Sequence, residues 1–248
     1  MLLVENSYNF YFPGNIHYPD ALPCEIAARI VPGAHTDVVV SEGFDTVREP
    51  YVQEGRRLQH EGADVISSNC GFSVVFQDDI AEATGLPTVM SSLLLAPLLA
   101  RIYSGRIGIL TFDASNLDAP RRSTAGWAAD FDLPLADVRQ SEHWMRLRNR
   151  GPTALDLNVM RQDLVEISQE FVDQYGLKAL LIECCAMLPF ERDIHEATGL
   201  PIFDHLCILH SIIDRTEGRG MPERPDPLDG YPHARSGLSA HVVEQTGD

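Results

Sequence analysis

The sequence has few basic residues. Its 248 residues include 19 Lys and Arg against 36 Asp and Glu, which gives a formal net charge of −17. A surface of this charge repels phosphate backbones and anionic lipid headgroups. The longest apolar stretch, residues 93–102, is interrupted by Pro97 and falls well short of the roughly 20 residues that a membrane span requires. We therefore expect neither a nucleic-acid partner nor a membrane association.

Cysteine is scarce, and its spacing forms no redox motif. The five cysteines are an odd number without a CxxC pair, which is typical of reduced thiols rather than of a disulfide framework. Residues 1–14 have neither the basic start nor the apolar stretch of a secretory signal. The sequence therefore predicts a cytoplasmic protein.

Several catalytic motifs are also missing. There is no GxxxxGK[ST] or GxGxxG loop for nucleotide phosphates, no GxSxG turn for a serine nucleophile and no HExxH zinc motif. The cysteines and histidines that lie near one another in the second half do not have the spacing of a zinc site. These residues are Cys184, Cys185, His205 and His210. We predict no metal site.

The sequence contains an internal repeat. Residues 76–87 (FQDDIAEATGLP) and 190–201 (FERDIHEATGLP) are identical at nine of twelve positions and lie 114 residues apart. The same spacing pairs Cys70 with Cys184. We therefore predict two related halves followed by an extended or flexible tail. Their bounds are 1–103, 104–215 and 216–248.

Each half carries the same series of predicted elements. An amphipathic helix ends at Gly62 or Gly176, and a short run of Val, Ile and Leu follows as a strand buried on both faces. After the cysteine, a second helix, with Ser73 or Pro189 at its start, runs to Gly-Leu-Pro and another short strand. Strands that alternate with helices form parallel sheets with right-handed crossovers. We therefore predict an α/β fold of two doubly wound parallel-sheet lobes, related by a pseudo-twofold axis, with the active site in the cleft between them.

Cys70 and Cys184 are the candidate catalytic residues. Each follows a buried strand, and ligands of parallel sheets bind beyond the carboxyl ends of the strands. The N–H groups of the following helix stabilise a thiolate, so we expect a thiol pKa lowered from about 8.5 toward neutrality. The same N–H groups suit a substrate carboxylate. Two thiols on opposite sides of a carbon acid permit stereoinversion, in which one removes the α-proton and the other returns a proton to the opposite face.

The alternative is that these cysteines are structural. Free cysteine is among the most buried residue types and usually acts as a small hydrophobic side chain. Two cysteines at equivalent repeat positions, each preceded by a polar residue (Asn69 and Glu183), favour a function instead. Cys185 is the rival in the second half, but the repeat spacing selects Cys184, and strand alternation points Cys185 to the other face.

Further polar residues fall at the carboxyl ends of other strands. Ser91 and His205 are equivalent in the repeat, and Ser92 adds a second hydroxyl. His205 has three open interpretations: a general acid, a ligand of a substrate carboxylate, or an interfacial histidine whose hydrogen bonds are satisfied. Thr111 and Ser115 follow the strand that opens the second half, where they either donate to a substrate carboxylate or serve ordinary turn geometry.

Four residues with reactive or charged side chains have less specific positions. Cys24 and Cys207 have no equivalent in the repeat and are interpreted as structural. Arg121 and Arg122 either pair with an acidic substrate or, as adjacent arginines more often do, lie on a solvated face.

Several segments together resemble those of a known enzyme superfamily. They are SSNCGFSVVFQ (67–77), PTVMSSLLLAPLL (87–99), IGILTFDASNL (107–117) and IECCAMLPF (182–190), followed by LPIFD (200–204). These segments resemble the aspartate/glutamate/hydantoin racemase superfamily. The segment PGNIHYPDALP (13–23) and the CGF–FQ pattern resemble a subgroup that includes the algal-type dimethylsulfoniopropionate lyases.

The resemblance implies a fold, a site and an assembly. It implies a cofactor-independent enzyme with two facing α/β lobes, active on a small carboxylate substrate as a homodimer or homotetramer. Carried over by motif, it makes Cys70 and Cys184 the catalytic pair. It also implies that the substrate site is lined by Asn69, Gly71, Ser91, Ser92, Thr111, Ser115 and His205.

Members of the superfamily use this site for several reactions, all of which pass through a carbanion or enolate beside a carboxylate. We predict a racemase or epimerase, independent of pyridoxal phosphate, that acts on a small carboxylate-bearing substrate such as aspartate or glutamate. The alternatives are a lyase of the dimethylsulfoniopropionate type, a maleate isomerase-like enzyme, and a catalytically silent protein that binds a small acid.

Overall fold

The computed structural model of the chain describes residues 1–5, 13–127, 132–150 and 156–219. The tail predicted for residues 216–248 therefore lies, beyond Arg219, outside the described residues. None of the helices in the described ranges has the length and hydropathy of a membrane-spanning segment.

The described elements of the first half are short. They are β1 (Leu2–Leu3), β2 (Arg29–Ile30), α1 (Thr36–Val40), α2 (Arg48–His60), β3 (Ile66–Ser67), α3 (Gln77–Thr84), β4 (Thr88–Val89) and α4 (Ala96–Ile102), with 3₁₀ turns at Glu42–Val47, Gly71–Phe76 and Ser92–Leu95.

The second half has longer strands and one long helix. Its elements are β5 (Ile107–Thr111), α5 (Ala119–Thr124), β6 (Leu135–Asp137), α6 (Glu142–Arg150), α7 (Leu157–Tyr175), β7 (Ala179–Ile182), α8 (Glu191–Thr198), β8 (Ile202–Phe203) and α9 (His205–Thr216), with 3₁₀ turns at Ala114–Asn116 and Cys185–Phe190.

All strand pairs in the described ranges are parallel, and both halves use the same strand order. The second half forms one sheet in the order β6-β5-β7-β8. In the first half, β1 pairs with β2 and β3 pairs with β4, and an isolated parallel bridge between Leu2 and Ser68 joins the two pairs into the order β2-β1-β3-β4. The predicted α/β fold with parallel sheets in two related lobes is confirmed.

The segments after the two candidate cysteines differ from the prediction. Each begins as a 3₁₀ turn, and the α-helix starts only at Gln77 or Glu191. The placement of Ser73 and Pro189 at the start of the α-helix is therefore wrong. Ser73 lies inside the first 3₁₀ turn, where its Oγ is 2.9 Å from the hydroxyl of Tyr51, and Pro189 lies inside the second.

The core of the second half forms between its sheet and α7. Every residue of β5 and β7 is buried, because both faces of these central strands are covered. Gly108 in β5 permits close packing: a Cβ at this position would lie 2.4 Å from the ring of Phe171 and 2.5 Å from Leu177. Both Gly108 and this apolar face of α7 are therefore needed to bring the helix onto the sheet.

Buried polar contacts join the two halves. Arg121 of α5 is completely buried and donates to the carbonyl oxygens of Val39 (2.8 Å) and Ser41 (2.9 Å) in the first half. Its other amino group pairs with Asp118 at 2.8 Å. The solvated-face interpretation is therefore wrong for Arg121, which holds the lobes together.

Candidate active site

A small cavity lies at the carboxyl ends of β3 and β7, between the two halves. Its volume is about 60 Å³. Its wall combines apolar side chains with the two candidate thiols and four polar or acidic side chains. The lining residues are Val4, Asn15, Thr36, Val40, Asn69, Cys70, Gly71, Phe72, Phe112, Glu183, Cys184, Cys185 and Ala186.

Both candidate thiols line this one cavity. Cys70 and Cys184 occupy matching positions, each as the residue before a 3₁₀ turn, and both are half-buried. Cys185 is only 2% exposed, and its Sγ lies 3.5 Å from Nδ1 of His205. The repeat thus places two cysteines, at equivalent positions of the two halves, in the wall of the same cavity.

The thiols are protonated at neutral pH. Burial, together with the nearby Glu183 carboxylate, raises the pKa of Cys70 to about 12. The same two causes raise the pKa of Cys184 well above its ordinary value. The backbone N–H groups of Phe72 and Ser73 do lower the pKa of Cys70, as expected, but their effect is smaller. The predicted thiol pKa near neutrality is therefore wrong, because desolvation outweighs the turn's N–H groups.

Glu183 is the acidic residue of the cavity wall. It is 1% exposed, and its Oε2 accepts hydrogen bonds from Thr111 Oγ1 (2.7 Å) and from the backbone N–H of Phe112 (3.2 Å). Burial raises its pKa to about 7, although both hydrogen bonds and the charge of Arg121 act in the opposite direction. From the sequence, Glu183 was predicted only to be a polar neighbour of Cys184. A feature of the sequence that could have identified Glu183 as a site residue is its position, as an acidic residue directly after the four apolar residues of β7.

Gly71 is a point of close approach between the two halves at the site. A Cβ on Gly71 would lie 2.3 Å from Oε1 and 2.4 Å from the backbone oxygen of Glu183. No side chain fits in this space, so a glycine is required next to Cys70 for the two thiol-bearing segments to share one cavity.

The other predicted polar residues of the site take different positions. Asn69 lines the cavity, and its Oδ1 accepts a hydrogen bond from the N–H of Val4 at 3.1 Å. Thr111 lies behind the wall and holds Glu183. Ser115 is outside the cavity wall: its Oγ donates to Asp113 Oδ1 at 2.6 Å and accepts from Arg139 at 2.9 Å.

Ser91, Ser92 and His205 do not line the cavity, and Ser92 and His205 make contacts between the halves. All three are completely buried. Ser91 accepts from the N–H of Leu93 at 3.1 Å and so caps a 3₁₀ turn, while Ser92 donates to the carbonyl of Ile182 at 2.7 Å.

His205 has the contacts of an interfacial histidine. Its Nε2 lies 3.1 Å from the backbone oxygen of Val89 and 3.1 Å from Ser67 Oγ. Burial lowers its pKa to about 4, so the ring is neutral at physiological pH. Of the three interpretations open from the sequence, these contacts fit the third.

Asn15 is a cavity residue that the sequence did not single out. It is 2% exposed, its Nδ2 is 3.5 Å from the backbone oxygen of Cys185, and its Oδ1 has no hydrogen-bond partner among the described residues. The preceding Gly14 has φ +88° and packs against Pro189, where a Cβ would lie 3.1 Å from the Pro189 Cα. This packing positions Asn15 over the thiol-bearing turn of the second half.

The chain is similar in sequence to curated lyases. No family model matches it. A dimethylsulfoniopropionate lyase of Durusdinium sp. clade D is 28% identical over 233 residues, which cover 88% of this chain and 76% of that protein. Dimethylsulfoniopropionate lyases 7 and 6 of Emiliania huxleyi (strain CCMP1516) are 24% and 23% identical over 212 residues; each match covers 81% of this chain, but only 62% and 55% of the respective lyase.

Solved structures share the fold at lower identity. Arylmalonate decarboxylase has a TM-score of 0.53 at 17% identity, with 90% of this chain and 94% of that chain covered. Allantoin racemase from Pseudomonas fluorescens has a TM-score of 0.59 at 12% identity, covering 91% and 98%. A putative Asp/Glu racemase from Yersinia pestis has a TM-score of 0.52 at 16% identity, covering 87% and 98%.

These similarities concern the fold and the sequence as a whole. The fold is that of the racemase and decarboxylase structures, and the curated sequence relatives are dimethylsulfoniopropionate lyases. The predicted resemblance to the aspartate/glutamate/hydantoin racemase superfamily, with a subgroup resembling algal-type lyases, is confirmed. The relatives and fold neighbours include enzymes of racemase, decarboxylase and lyase activity, which supports an enzymatic function.

Proposed function

We propose that this protein is a cofactor-independent enzyme that removes a proton from the carbon next to a substrate carboxylate, and that it performs β-elimination on a sulfonium carboxylate of the dimethylsulfoniopropionate type. The observation that carries the proposal is that Cys70 and Cys184, at equivalent positions of a repeat, line one cavity. The lyase relatives, similar over 81–88% of the chain, favour elimination as the outcome.

The chemistry balances with one thiolate as base. The thiolate takes the proton from Cα, the C–H electrons form the Cα–Cβ double bond, and the Cβ–S bond breaks with its electron pair on sulfur. The products are acrylate, dimethyl sulfide and a thiol that returns its proton to solvent. A thiol pKa of about 12 at Cys70 opposes thiolate formation in the empty cavity. A sulfonium charge bound beside the thiol lowers that pKa, so the substrate itself promotes its own deprotonation.

Racemisation, the first prediction made from the sequence, is the second candidate function. The presence of two thiols favours it, because inversion at Cα requires an acid and a base on opposite faces, whereas elimination requires one base. We place elimination first because of the curated relatives.

The deciding experiment is a substrate panel in D₂O followed by proton NMR. With dimethylsulfoniopropionate we expect the vinyl signals of acrylate together with dimethyl sulfide. Of the two variants Cys70→Ser and Cys184→Ser, tested separately, we expect a large loss of rate in the one that removes the base. Cys207→Ser is the control, because Cys207 is exposed and lies outside the cavity wall.

Other outcomes identify the alternatives. Deuterium incorporation at Cα from both enantiomers of an amino acid, without acrylate, supports a racemase. Ligand-dependent thermal stabilisation with neither exchange nor product supports a binding protein. Either result contradicts the lyase proposal.

A further inference from the structure

The two sides of the cavity differ at one pair of equivalent positions. Asn69 precedes Cys70 in the first half, and Glu183 precedes Cys184 in the second, and both side chains line the cavity. The thiols are therefore matched while their neighbours are not. One side of the cavity presents a neutral amide and the other an acidic group.

Glu183 is held in place without a direct ion pair of its own in the described part of the chain. Its Oε2 is fixed by Thr111 and the N–H of Phe112. The buried guanidinium of Arg121 makes its ion pair with Asp118 instead. A buried carboxylate with so little compensation is costly to ionise unless a positive charge approaches it.

A second buried acceptor belongs to the same cavity. The Oδ1 of Asn15 has no hydrogen-bond partner among the described residues, and the side chain is 2% exposed. Buried acceptors without donors are rare in folded proteins and call for an explanation. Together with Glu183, this oxygen gives the residues of the cavity two buried acceptors that a positively charged ligand can approach.

Apart from Thr36, Asn69 and the cysteines, the rest of the wall is apolar and aromatic. Val4, Val40, Phe72, Phe112 and Ala186 supply it. Such a surface suits a methylated onium group, whose charge is covered by methyl groups and which contacts aromatic rings favourably. An ammonium group with N–H donors requires several acceptors in fixed directions, whereas a methylated onium requires only negative potential and apolar contact.

We propose that Glu183, assisted by the Asn15 carbonyl oxygen, recognises a methylated onium group and thereby selects a positively charged substrate over a neutral one of the same shape. This inference rests on the proposed function for the identity of its substrate, since the onium group is the leaving group of that reaction.

The charge state of Glu183 gives the recognition a pH dependence. The groups around its carboxylate are the Arg121 guanidinium of α5, the Asp113 carboxylate beyond β5, and the thiols of Cys70, Cys184 and Cys185. The thiols stay neutral. Burial raises the pKa of Glu183 to about 7, while the charges of Arg121 and Asp113 act on it in opposite directions. Affinity for an onium ligand should therefore rise as the pH rises through neutrality.

Two unreactive isosteres test the proposal by calorimetric titration. 3-(Trimethylammonio)propionate and 4,4-dimethylpentanoate share one shape and one carboxylate, and differ in the charge of a single central atom. We expect wild type at about pH 8 to bind the cationic isostere about tenfold or more tightly than the neutral one, and Glu183→Gln to lose most of this preference with little change for the neutral isostere.

Two further variants make the test specific. Glu196→Gln makes the same change of charge at an exposed position outside the cavity, and it should keep the wild-type preference. Asn15→Leu removes the second acceptor and should reduce the preference partly. This variant tests the proposal even if Glu183→Gln does not fold.

The outcomes separate this inference from the proposed function. Equal binding of both isosteres by wild type, binding of neither, or an unchanged preference in both Glu183→Gln and Asn15→Leu overturns the inference. None of these titrations involves turnover. Acrylate formation is measured separately, so an active lyase without cation preference refutes only the inference, and a cation-selective protein without acrylate formation refutes only the lyase.

Discussion

At the scale of single residues, Gly71 decides whether the thiols share a cavity. Any side chain there meets Oε1 and the backbone oxygen of Glu183 at 2.3–2.4 Å. We expect Gly71→Ala to push the two segments apart, with a destabilisation of about 1–3 kcal/mol and loss of most activity. Urea unfolding and the acrylate assay measure the two effects.

Gly43→Ala is the matched control for this substitution. A Cβ at Gly43 meets its nearest atom at 3.7 Å, which is ordinary contact. We expect near-wild-type activity and stability. Full activity in Gly71→Ala would show that the close approach is not needed.

Glu183 also makes a prediction about stability. Its pKa is raised from 4.5 to about 7 in the folded protein, so the folded state binds the proton more tightly than the unfolded state. The folded state therefore loses stability as the pH rises between these two values. Glu183→Gln, which keeps the acceptor for Thr111, should exceed wild type in unfolding free energy by up to about 3 kcal/mol near pH 8, and by much less near pH 5.

The measurement is urea unfolding of both proteins across this pH range. Glu196→Gln controls for the change in net charge and should show no such pH-dependent gain. A Glu183→Gln variant less stable than wild type near pH 8 would mean that the carboxylate contributes to folding instead of opposing it.

Some residues of the site could be predicted from the sequence and others could not. The positions of Cys70, Cys184 and Asn69 could be predicted from the repeat, because equivalent residues of the two related lobes lie at equivalent strand ends. Asn15 reaches the cavity through the packing of Gly14 on Pro189, a contact between distant parts of the chain that no local pattern encodes. The predicted direction of the thiol pKa shift was wrong for a related reason, since desolvation depends on the complete surroundings of a group.

At the scale of elements, the two 3₁₀ turns after the cysteines show where periodicity stops being informative. The apolar spacing of Phe76, Ile80 and Ala83 predicts the helix that follows. α3 contains Ile80 and Ala83, whereas Phe76 is the last residue of the 3₁₀ turn. The residues before it, 71–76, are all buried, so no exposed face marks a helical period there. The same turn recurs in the second half, which shows that the repeat preserves this geometry.

Arg121 is the residue of α5 on which the joining of the lobes depends most. Replacing it with Met leaves Asp118 and the carbonyl oxygens of Val39 and Ser41 without their buried donor. We expect Arg121→Met to reduce the unfolding free energy by about 3–5 kcal/mol, as measured by urea denaturation.

The adjacent residue supplies the control. Arg122 is half-buried, donates to the carbonyl of Leu117 and lies over the ring of Trp127. Arg122→Met should cost about 1 kcal/mol or less. Equal losses in the two variants would contradict the assignment of the lobe contact to Arg121.

At the scale of the whole molecule, the parallel pairing of the strands could be predicted because it follows from the alternation of strands and helices. The lengths of the first-half strands could not, since β1 to β4 have two residues each and depend on a single bridge at Ser68 to complete the sheet. Strand length depends on pairing between strands that are distant in sequence, and the hydropathy pattern along the chain does not indicate that pairing.

The net charge of −17 predicts a response to salt. Like charges on the folded surface repel one another, and the Debye length falls from about 30 Å at 0.01 M salt to about 8 Å at 0.15 M. The thermal midpoint near pH 8 should therefore rise by a few degrees over this range. The rise should disappear near the isoelectric point of about 4.8. A midpoint that falls with salt near pH 8 would show that attractive ion pairs dominate instead.

The mismatch between Asn69 and Glu183 has a stereochemical consequence. Two thiols related by a twofold axis would accept a bound acid in either of two opposed orientations, and each would then reach a different prochiral hydrogen on the same carbon. An acidic group on one side only fixes a single orientation, so only one of those hydrogens faces the base. Acrylate formed from substrate deuterated at one prochiral position should then retain the label, while the opposite isotopomer loses it.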